Sequence, residues 1–531
     1  MKVRVSQSDM KIFLKIKANE GARVMKIKDI LQNIDIVSHS VPQNMLSRQI
    51  VSLCHNSRYA DPTCLFFCKR GALTDGHKYA PHAYENGARF FVAERELDLP
   101  DDAAVIIVKD SNEALRKLAV VFYGDPASEL RVIGITGTKG KTTVALSVYN
   151  IASASGRRVG YIGTNGIYYN GKVFETANTT PDCLDLQKAL RDMRDDGVEV
   201  VVIEVSSQAL WQQRVYGIKF DTCVLTNLYQ DHVGGIEHPT LEHYRDCKKL
   251  LFTDYEAKNI VVNADCEATT YMLDGVSCDN ILTMSAEGRE DCHIFARSAK
   301  KEMNGIRPGV SFELFSGVGS SLPLCEHGES VFMSAPGLYS VENGLLTFAV
   351  CRILGFSTEF IISELAKLSI PGRFEVVELE SRPNTLFVID YAHNGASLSA
   401  VLGALREYDP KRIICLFGSV GGRTFGRRAE LGAAAREGAD VIIVTSDNPD
   451  NEDPMDVIND INASLEGTDK PVYLIPDRKE AIEKAFEIAE DGDFVLLAGK
   501  GHERYQLIQG KRVPFSEKEI LKRADMLELT Y

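Results

Sequence analysis

The stretch VIGITGTKGKTTVAL, residues 132–146, constrains this chain more than any other. Val132, Ile133 and Ile135 read as a buried strand, Gly137 and Gly140 as a tight small-residue turn, and TTVALSVYNIA as the opening of a helix. Strand, loop and helix in that order belong to an α/β architecture. Backbone N–H groups at such a helix start can wrap polyphosphate oxygens, Lys141 can neutralise them, and Thr142 can reach a magnesium ion. The common phosphate-loop spacing, G-x-x-x-x-G-K-[ST], fails here by one residue, because Ile135 stands five before Gly140 where glycine is usual. The alternative reading of the stretch is an ordinary glycine-rich strand-to-helix turn.

A chain of 531 residues is too long for one core and predicts about three domains. Its 60 basic and 74 acidic residues, net charge -14, argue against nucleic acid as a partner. Twelve cysteines lie scattered without a C-x-x-C pair, several in apolar runs such as DTCVLTNL and RIICLFG, and read as buried thiols of a reducing compartment. No apolar run approaches the roughly 20 residues that span a bilayer, and the N-terminus lacks a charged-then-apolar signal pattern. These readings predict a cytoplasmic location and no membrane partner. Residues 1–24 read as a short extension, and MKIKDILQNIDIV, from Met25, as an amphipathic helix opening.

Three blocks separate along the chain, 1–128, 129–369 and 370–531. The first mixes short strands (TCLFFCK, ARFFVAE, AAVIIVK) with turn-rich pieces. The second alternates strands (VEVVVIEV, TCVLTNL, NIVVNA) with helical stretches (LDLQKALRDMRDDG, TLEHYRDCKKLLFTDYEA), which predicts a mostly parallel sheet covered by helices, and residues 278–315 read as an antiparallel excursion within it. The Pro-Gly pair of IPGRFEVVE marks a linker. In the third block four apolar strands, TLFVIDYAH, RIICLFGS, DVIIVTSDNP and DFVLLAGKGH, end in polar or glycine residues, which are candidate site positions because open parallel sheets bind ligands at the carboxyl ends of their strands.

GTKGKTT, NTTPD, EVSSQAL, TNLYQDH, EHYRDCKKLLF, PGRFEVV, DYAH, DNP and GKGHERYQ occur in the order and approximate spacing of the Mur ligases of peptidoglycan synthesis. From Met25 onward the chain resembles that family, and within it the members that add the third amino acid to the UDP-MurNAc peptide. The family's phosphate loop has the shorter G-T-x-G-K-T form, so the odd spacing becomes a signature. The resemblance implies an N-terminal UDP-binding α/β domain, a central P-loop ATPase domain and a C-terminal Rossmann-like domain that binds the amino acid. It also implies ATP and Mg2+ as cofactors, UDP-MurNAc-L-Ala-D-Glu and a free amino acid as partners, and a monomer.

Residue by residue, the resemblance implies ATP binding by Gly137, Thr138, Lys139, Gly140, Lys141, Thr142, Thr143 and Asn227, with Asp390 and His393 holding ribose and adenine. Thr142, Glu204, His232 and Lys248 are implied as metal ligands, Lys248 after carbamylation, although Lys249 is its immediate neighbour; Asp231 lines the same loop as His232. Arg373 matches the linker arginine expected to approach the phosphates on domain closure. Ser57, Asp75, Gly76 and His77 resemble uridine-diphosphate segments, with Asn56 where the family often has aspartate, while Asn178, Thr179, Thr180, Ser206 and Arg214 resemble the muramyl-peptide loops. The usual S-S-H-G is S-S-Q-A here, and the T-P that commonly follows D-Y-A-H is replaced by Asn394 and Gly395. Arg423, Asp447, Asn448, Asp450, Gly499 and Glu503 resemble the amino-acid-binding positions.

The implied chemistry is phosphoryl transfer to the peptide's terminal carboxylate, then attack of an amine on the acyl phosphate. Asp450 stands where the diaminopimelate-adding members carry an arginine, and with Glu452 and Asp453 nearby the loop predicts a side-chain ammonium: L-lysine first, L-ornithine next, meso-diaminopimelate third. The alternative is that Asp450 only caps a turn. Other superfamily amide ligases, such as folylpolyglutamate or cyanophycin synthetases, and a non-catalytic nucleotide-binding relative are the rival readings.

Overall fold

The computed structural model describes residues 24–71, 74–229, 238–317, 328–422 and 425–530. By internal contacts the chain divides into two units after Thr283. Among the described residues, no helix is long and apolar enough to cross a membrane, and the cysteines are free thiols, most of them buried.

The first unit opens on a five-stranded sheet of β1 (Ile36–His39), β2 (Ser52–Cys54), β3 (Cys64–Phe67), β4 (Phe90–Ala93) and β5 (Ala104–Val108), in the order β1-β5-β4-β3-β2. β2 to β5 are parallel, and β1 closes the edge antiparallel to β5. The expected helix opening at Met25 is instead a two-residue strand, Met25–Lys26, paired with Gln49–Ile50, followed by a six-residue helix, Ile27–Gln32. The helix stops at Asn33, and the β-branched residues Ile34, Ile36 and Val37 that follow favour extended backbone.

Eight further strands belong to a second sheet: β6 (Arg131–Thr136), β7 (Val159–Gly163), β8 (Gly166–Tyr169), β9 (Lys172–Phe174), β10 (Val200–Glu204), β11 (Phe220–Leu225), β12 (Ala257–Asn263) and β13 (Asn280–Ser285), in the order β9-β8-β7-β10-β6-β11-β12-β13. β7, β10, β6, β11 and β12 run parallel, and every residue of β10 and β11 is buried. Such continuous apolar strands are the mark of a sheet covered on both faces, each buried Val or Ile contributing about 1.5–3 kcal/mol. Register sets Glu204 of β10 beside Ile135 of β6, and Leu225 of β11 beside Thr136. Three strand tips therefore end at one level, where the phosphate loop leaves the sheet. The helix Cys183–Asp195 sends Cys183 and Leu184 into the core of the first sheet, so the NTTPD loop before it sits between the two cores.

In the second unit the last residues of β13, Met284 and Ser285, pair with Ile294 and Phe295 of β14 (Ile294–Asn304), which continues antiparallel with β15 (Arg307–Ser316) and β16 (Glu329–Met333), in keeping with the excursion read at 278–315. A separate six-stranded sheet follows: β17 (Glu375–Val377), β18 (Leu386–Asp390), β19 (Ile413–Phe417), β20 (Val441–Val444), β21 (Val472–Leu474) and β22 (Phe494–Ala498), in the order β17-β18-β22-β19-β20-β21. All neighbours are parallel except β17 with β18. Asn394 caps the helix Gly395–Arg406 through a reciprocal pair with Ser397, which accounts for the N-G that follows D-Y-A-H: the turn keeps a capping side chain.

Candidate functional site

The phosphate loop joins β6 to the helix Lys141–Ala154. Gly137 has φ +145°, and a Cβ there would lie 1.9 Å from Thr226 Oγ1, so only glycine fits. The loop is braced from the tip of β11: Thr138 N donates to Asn227 O at 3.0 Å, Lys139 N to Asn227 Oδ1 at 2.9 Å, and Thr226 Oγ1 to Lys139 O at 2.6 Å. Asn227 is thus a brace of the expected loop. Tyr244 OH donates to Thr138 Oγ1 at 3.1 Å.

Two lysines converge on one carbonyl. Lys141 Nζ donates to Gly137 O at 2.8 Å and to Thr138 O at 3.1 Å, and Lys248 Nζ, on the helix Leu241–Thr253, donates to the same Gly137 O at 2.8 Å. Lys248 is fully buried, with its ammonium 4.5 Å from the centre of the Tyr244 ring. Lys249 points elsewhere, toward Tyr271 and Asp274, so of the two neighbours it is Lys248 that faces the loop.

Glu204, fully buried at the tip of β10, accepts from Thr142 Oγ1 at 2.8 Å, Thr164 N at 3.1 Å, Thr164 Oγ1 at 3.2 Å and Tyr161 OH at 2.5 Å. Gly163 leaves room for it, since a Cβ there would meet Glu204 Oε1 at 2.3 Å. Burial, then the Glu204 charge, raises the Tyr161 phenol well above its ordinary value. Thr136 Oγ1 is buried with no hydrogen-bond partner among the described residues. The carboxylate and the Thr142 hydroxyl make a hard-oxygen donor pair that suits Mg2+. His232 and Asp231 lie outside the described residues.

The peptide-side residues gather behind this loop. Thr180 Oγ1 donates to Glu204 O at 2.7 Å and accepts from Ser206 N at 3.1 Å, while Ser206 caps the helix Ser207–Trp211. Arg214 Nη1 donates to Thr180 O at 2.8 Å, and Arg214 Nε lies 3.5 Å from Asp182. Asp182 also pairs with Lys69 at 2.8 Å; burial alone would raise its pKa, but Lys69, Arg214 and His55 hold it below its usual range. Asn178 is exposed and Thr179 half-buried, with Thr179 Oγ1 3.2 Å from Thr164 Oγ1.

Among the uridine-side positions, Ser57 is buried against His82, its Oγ 2.9 Å from Nδ1, and the Asn56 side chain accepts from Arg58 N, the capping task an aspartate performs. Gly76 donates its N–H to Lys69 O. His77 is buried, with Nδ1 bonded to Asp75 at 2.6 Å and Nε2 accepting from Glu94 N at 3.0 Å, so both ring nitrogens are engaged within the protein. Asp75 is held well below the carboxylate range by Arg95 and by the His77 N–H groups, and it fixes that ring.

In the second unit Asp447, Asn448 and Glu503 surround Lys500, a fully buried residue that the sequence reading passed over. Lys500 Nζ donates to Asn448 Oδ1 at 3.0 Å, Glu503 Oε2 at 3.1 Å and Asp447 Oδ1 at 3.3 Å, and Asn448 Nδ2 donates to Glu503 Oε2 at 2.9 Å. Gly499 N donates to Asp390 O. Asp390 is turned inward: Oδ2 accepts from Phe374 N and Oδ1 from Ala392 N, both at 2.8 Å, and burial raises its pKa. Asp390 thereby anchors the linker, whose Phe374 has φ +46°. His393 Nδ1 lies 2.8 Å from Tyr391 O, and the Arg373 guanidinium stands 5.1 Å over the Tyr391 ring. Arg423 lies outside the described residues.

The acidic loop is less free than its composition implied. Asp450, at φ +54°, accepts Gly510 N on Oδ1 at 2.9 Å, which ties it to the hairpin Tyr505–Pro514. Glu452 is paired with the buried Arg428 at 2.6 Å and bonded by Gly422 N, while Asp453 caps the helix Pro454–Ala463. Each of the three acids thus has a partner within the protein, Asp450 through one carboxylate oxygen.

A parallel sheet whose central strand feeds a braced phosphate loop, with a buried Thr–Glu pair at the helix start, defines a P-loop α/β nucleotide enzyme. Profiles of the Mur ligase family catalytic domain, the Mur ligase middle domain and the Mur ligase glutamate ligase domain match residues 49–123, 135–351 and 372–501. A UDP-N-acetylmuramoyl-L-alanyl-D-glutamate--2,6-diaminopimelate ligase of Clostridium botulinum is 34% identical over 498 residues, covering 92% of this chain and 99% of the relative. A ligase of the same name from Geobacillus thermodenitrificans is 37% identical over 485 residues, covering 90% and 94%. A solved structure of a ligase of that name superposes with TM-score 0.65 at 27% identity, covering 95% of this chain and 99% of the other. A folylpolyglutamate synthase from Mycobacterium tuberculosis shares the fold at TM-score 0.53 and 18% identity. The chain belongs to the Mur ligase family and is an ATP-dependent ligase.

Proposed function

We propose that this ligase joins an amino acid to UDP-N-acetylmuramoyl-L-alanyl-D-glutamate, in cytoplasmic peptidoglycan precursor synthesis. The single observation that carries the reading is the buried Thr142–Glu204 pair beside the two lysines on Gly137 O, a phosphate cradle with hard-oxygen ligands attached. The relatives' names supply the substrate class. Our domain boundaries are 1–128, 129–369 and 370–531, assigned to substrate, nucleotide and amino acid.

Loop amides and Lys141 bind the triphosphate, and Lys141 leaves Gly137 O to do so. When bound at Thr142 and Glu204, Mg2+ neutralises charge on the phosphates. The γ-phosphoryl group passes to a carboxylate oxygen of the dipeptide, ADP leaves, and the acyl phosphate is attacked by the amine of the incoming amino acid. The tetrahedral adduct loses phosphate and a proton to give the amide. No protein nucleophile takes part. We assign Lys248 as a carbamate in the working enzyme, because a second ammonium on Gly137 O would repel both Lys141 and a metal.

We assign Asn448, Lys500 and Glu503 to the incoming amino acid and Asp450 to its side-chain ammonium, which favours L-lysine. The names of the relatives favour meso-diaminopimelate as the second reading. The test supplies ATP, Mg2+ and the UDP-muramoyl dipeptide, offers amino acids one at a time and measures phosphate release. Release dependent on an amino acid is expected; no release with any of them overturns the ligase reading, and faster release with diaminopimelate than with lysine overturns the side-chain reading alone.

A further inference from the structure

One turn from Lys248, the helix Leu241–Thr253 carries a second set of ligand atoms that the reaction above does not use. His243 and Cys247 stand four residues apart and so share one face of that helix. Thr240 caps it by accepting from His243 N, and the chain just before the cap folds His238 back onto the same face. His238 Nδ1 lies 2.9 Å from His243 Nδ1, and Cys247 Sγ lies 3.7 Å from His243 Nε2 and 3.9 Å from His243 Nδ1. One ligand atom from each of the three residues falls within 4.8 Å of the others.

We propose that His238, His243 and Cys247 form a binding site for a borderline-soft divalent cation of the Zn2+ class, separate from the oxygen site at Thr142 and Glu204. Bonds of about 2.0 Å to nitrogen and about 2.3 Å to sulfur in a tetrahedron require N···N and N···S separations of about 3.3 and 3.5 Å, within a few tenths of an ångström of the His238–His243 and His243–Cys247 separations present, with the third pair inside 4.8 Å. Two imidazoles and a thiolate select Zn2+ or Co2+ over Mg2+, which prefers oxygen. A further observation points the same way. His238 Nε2 lies 2.9 Å from Ser207 Oγ, both groups buried, so Ser207 Oγ can accept a hydrogen bond from Nε2–H, which turns the lone pair of Nδ1 toward His243 and the cluster. Metal-bound histidines are commonly oriented by such a partner on the far nitrogen. The Trp211 ring stands edge-on to His243 at 5.3 Å, and Tyr244 lies 5.2 Å from His238, which walls the cluster with aromatic surface.

Three protein ligands leave a fourth position for water or an exogenous group. Because the helix also carries Tyr244 and Lys248, both bonded to the phosphate loop, a cation here would clamp that helix to Ser207 and stiffen the loop from behind.

The test titrates Co2+ into chelator-treated full-length protein without nucleotide or substrate, so its outcome does not depend on the proposed reaction. A saturable thiolate-to-cobalt charge-transfer band with tetrahedral visible bands, both lost on adding Zn2+, is expected. Cys247→Ser should abolish the charge-transfer band, His243→Asn should weaken Co2+ binding about 10-fold or more, and Glu204→Gln should leave both spectra unchanged, each variant being checked by its melting curve. If Cys247→Ser does not fold, the His243→Asn titration decides. A wild-type protein with no thiolate band, or a band that survives both ligand substitutions, overturns the site and leaves a histidine–histidine hydrogen bond beside an inert thiol.

Discussion

Thr142 Oγ1 donates to Glu204 Oε2 across 2.8 Å, joining the first turn of the phosphate-loop helix to a strand tip 62 residues away in sequence. The hydroxyl and the carboxylate are both buried, and each is held where a hard cation beside the phosphates would find it. Thr142→Val keeps the shape and removes the oxygen. We expect the rate at saturating ATP to fall by about 100-fold or more, with a stability loss of about 1–3 kcal/mol from the acceptor left short in Glu204. Steady-state phosphate release and denaturant midpoints measure the two; an unchanged rate removes the cation role from this pair.

Gly137→Ala tests the cradle itself. The added methyl would lie 1.9 Å from Thr226 Oγ1 at a φ of +145°, so the loop must shift at a cost of about 1–3 kcal/mol. ATP binding by calorimetry should be lost while the fold survives; normal affinity would show that the loop amides do not hold the nucleotide.

Lys248 and Lys141 share Gly137 O. If the buried lysine works as a carbamate, Lys248→Ala loses activity by about 10- to 100-fold or more, and enzyme stripped of carbon dioxide regains activity in bicarbonate. Mass spectrometry of the intact active enzyme, without the added carboxylate under conditions that preserve it, would count against the assignment.

Asp450→Arg places a guanidinium where this chain has a carboxylate bonded to Gly510 N. Preference between lysine and diaminopimelate should shift toward the latter by about 10-fold or more in kcat/KM, the scale of one charge-assisted contact. No shift would mean that Asp450 serves only the turn.

His502 gives a pH prediction. Burial first, then the charges of Arg373 and Lys500, lowers its pKa from 6.5 to about 4, and its Nδ1 has no partner among the described residues. Between pH 6.5 and 4 the unfolded chain therefore holds a proton that the folded chain refuses, so stability declines as pH falls through that window, by up to about 1.4 kcal/mol per pH unit. Above pH 6.5 the histidine contributes no slope. Melting curves of His502→Gln should show a shallower decline than wild type over the window and the same slope above it.

Much of this was legible in the chain itself. Val132 to Thr136, the glycine turn and the hydroxyls after Lys141 announce strand, loop and helix through periodicity and composition, and the family's motifs then stand in order. Lys500, Tyr161, Thr226 and Tyr244 were not legible, because a single polar residue inside an apolar or helical run carries no period and no spacing rule. The protein partners of His77 and Asp390 were not legible for a related reason: a histidine after Asp-Gly and an aspartate at a strand end show nothing of Glu94 N, Phe374 N and Ala392 N, which the fold brings to them.

The sequence alone determined the alternation of elements, the phosphate loop and the family, since each rests on residues close together along the chain. Tertiary structure decided which polar groups face a ligand and which face the protein. That choice belongs to partners far apart in sequence, Thr142 with Glu204, Lys248 with Gly137 and Lys500 with Asn448. A buried polar atom must find a hydrogen bond somewhere, and only the packed fold fixes where.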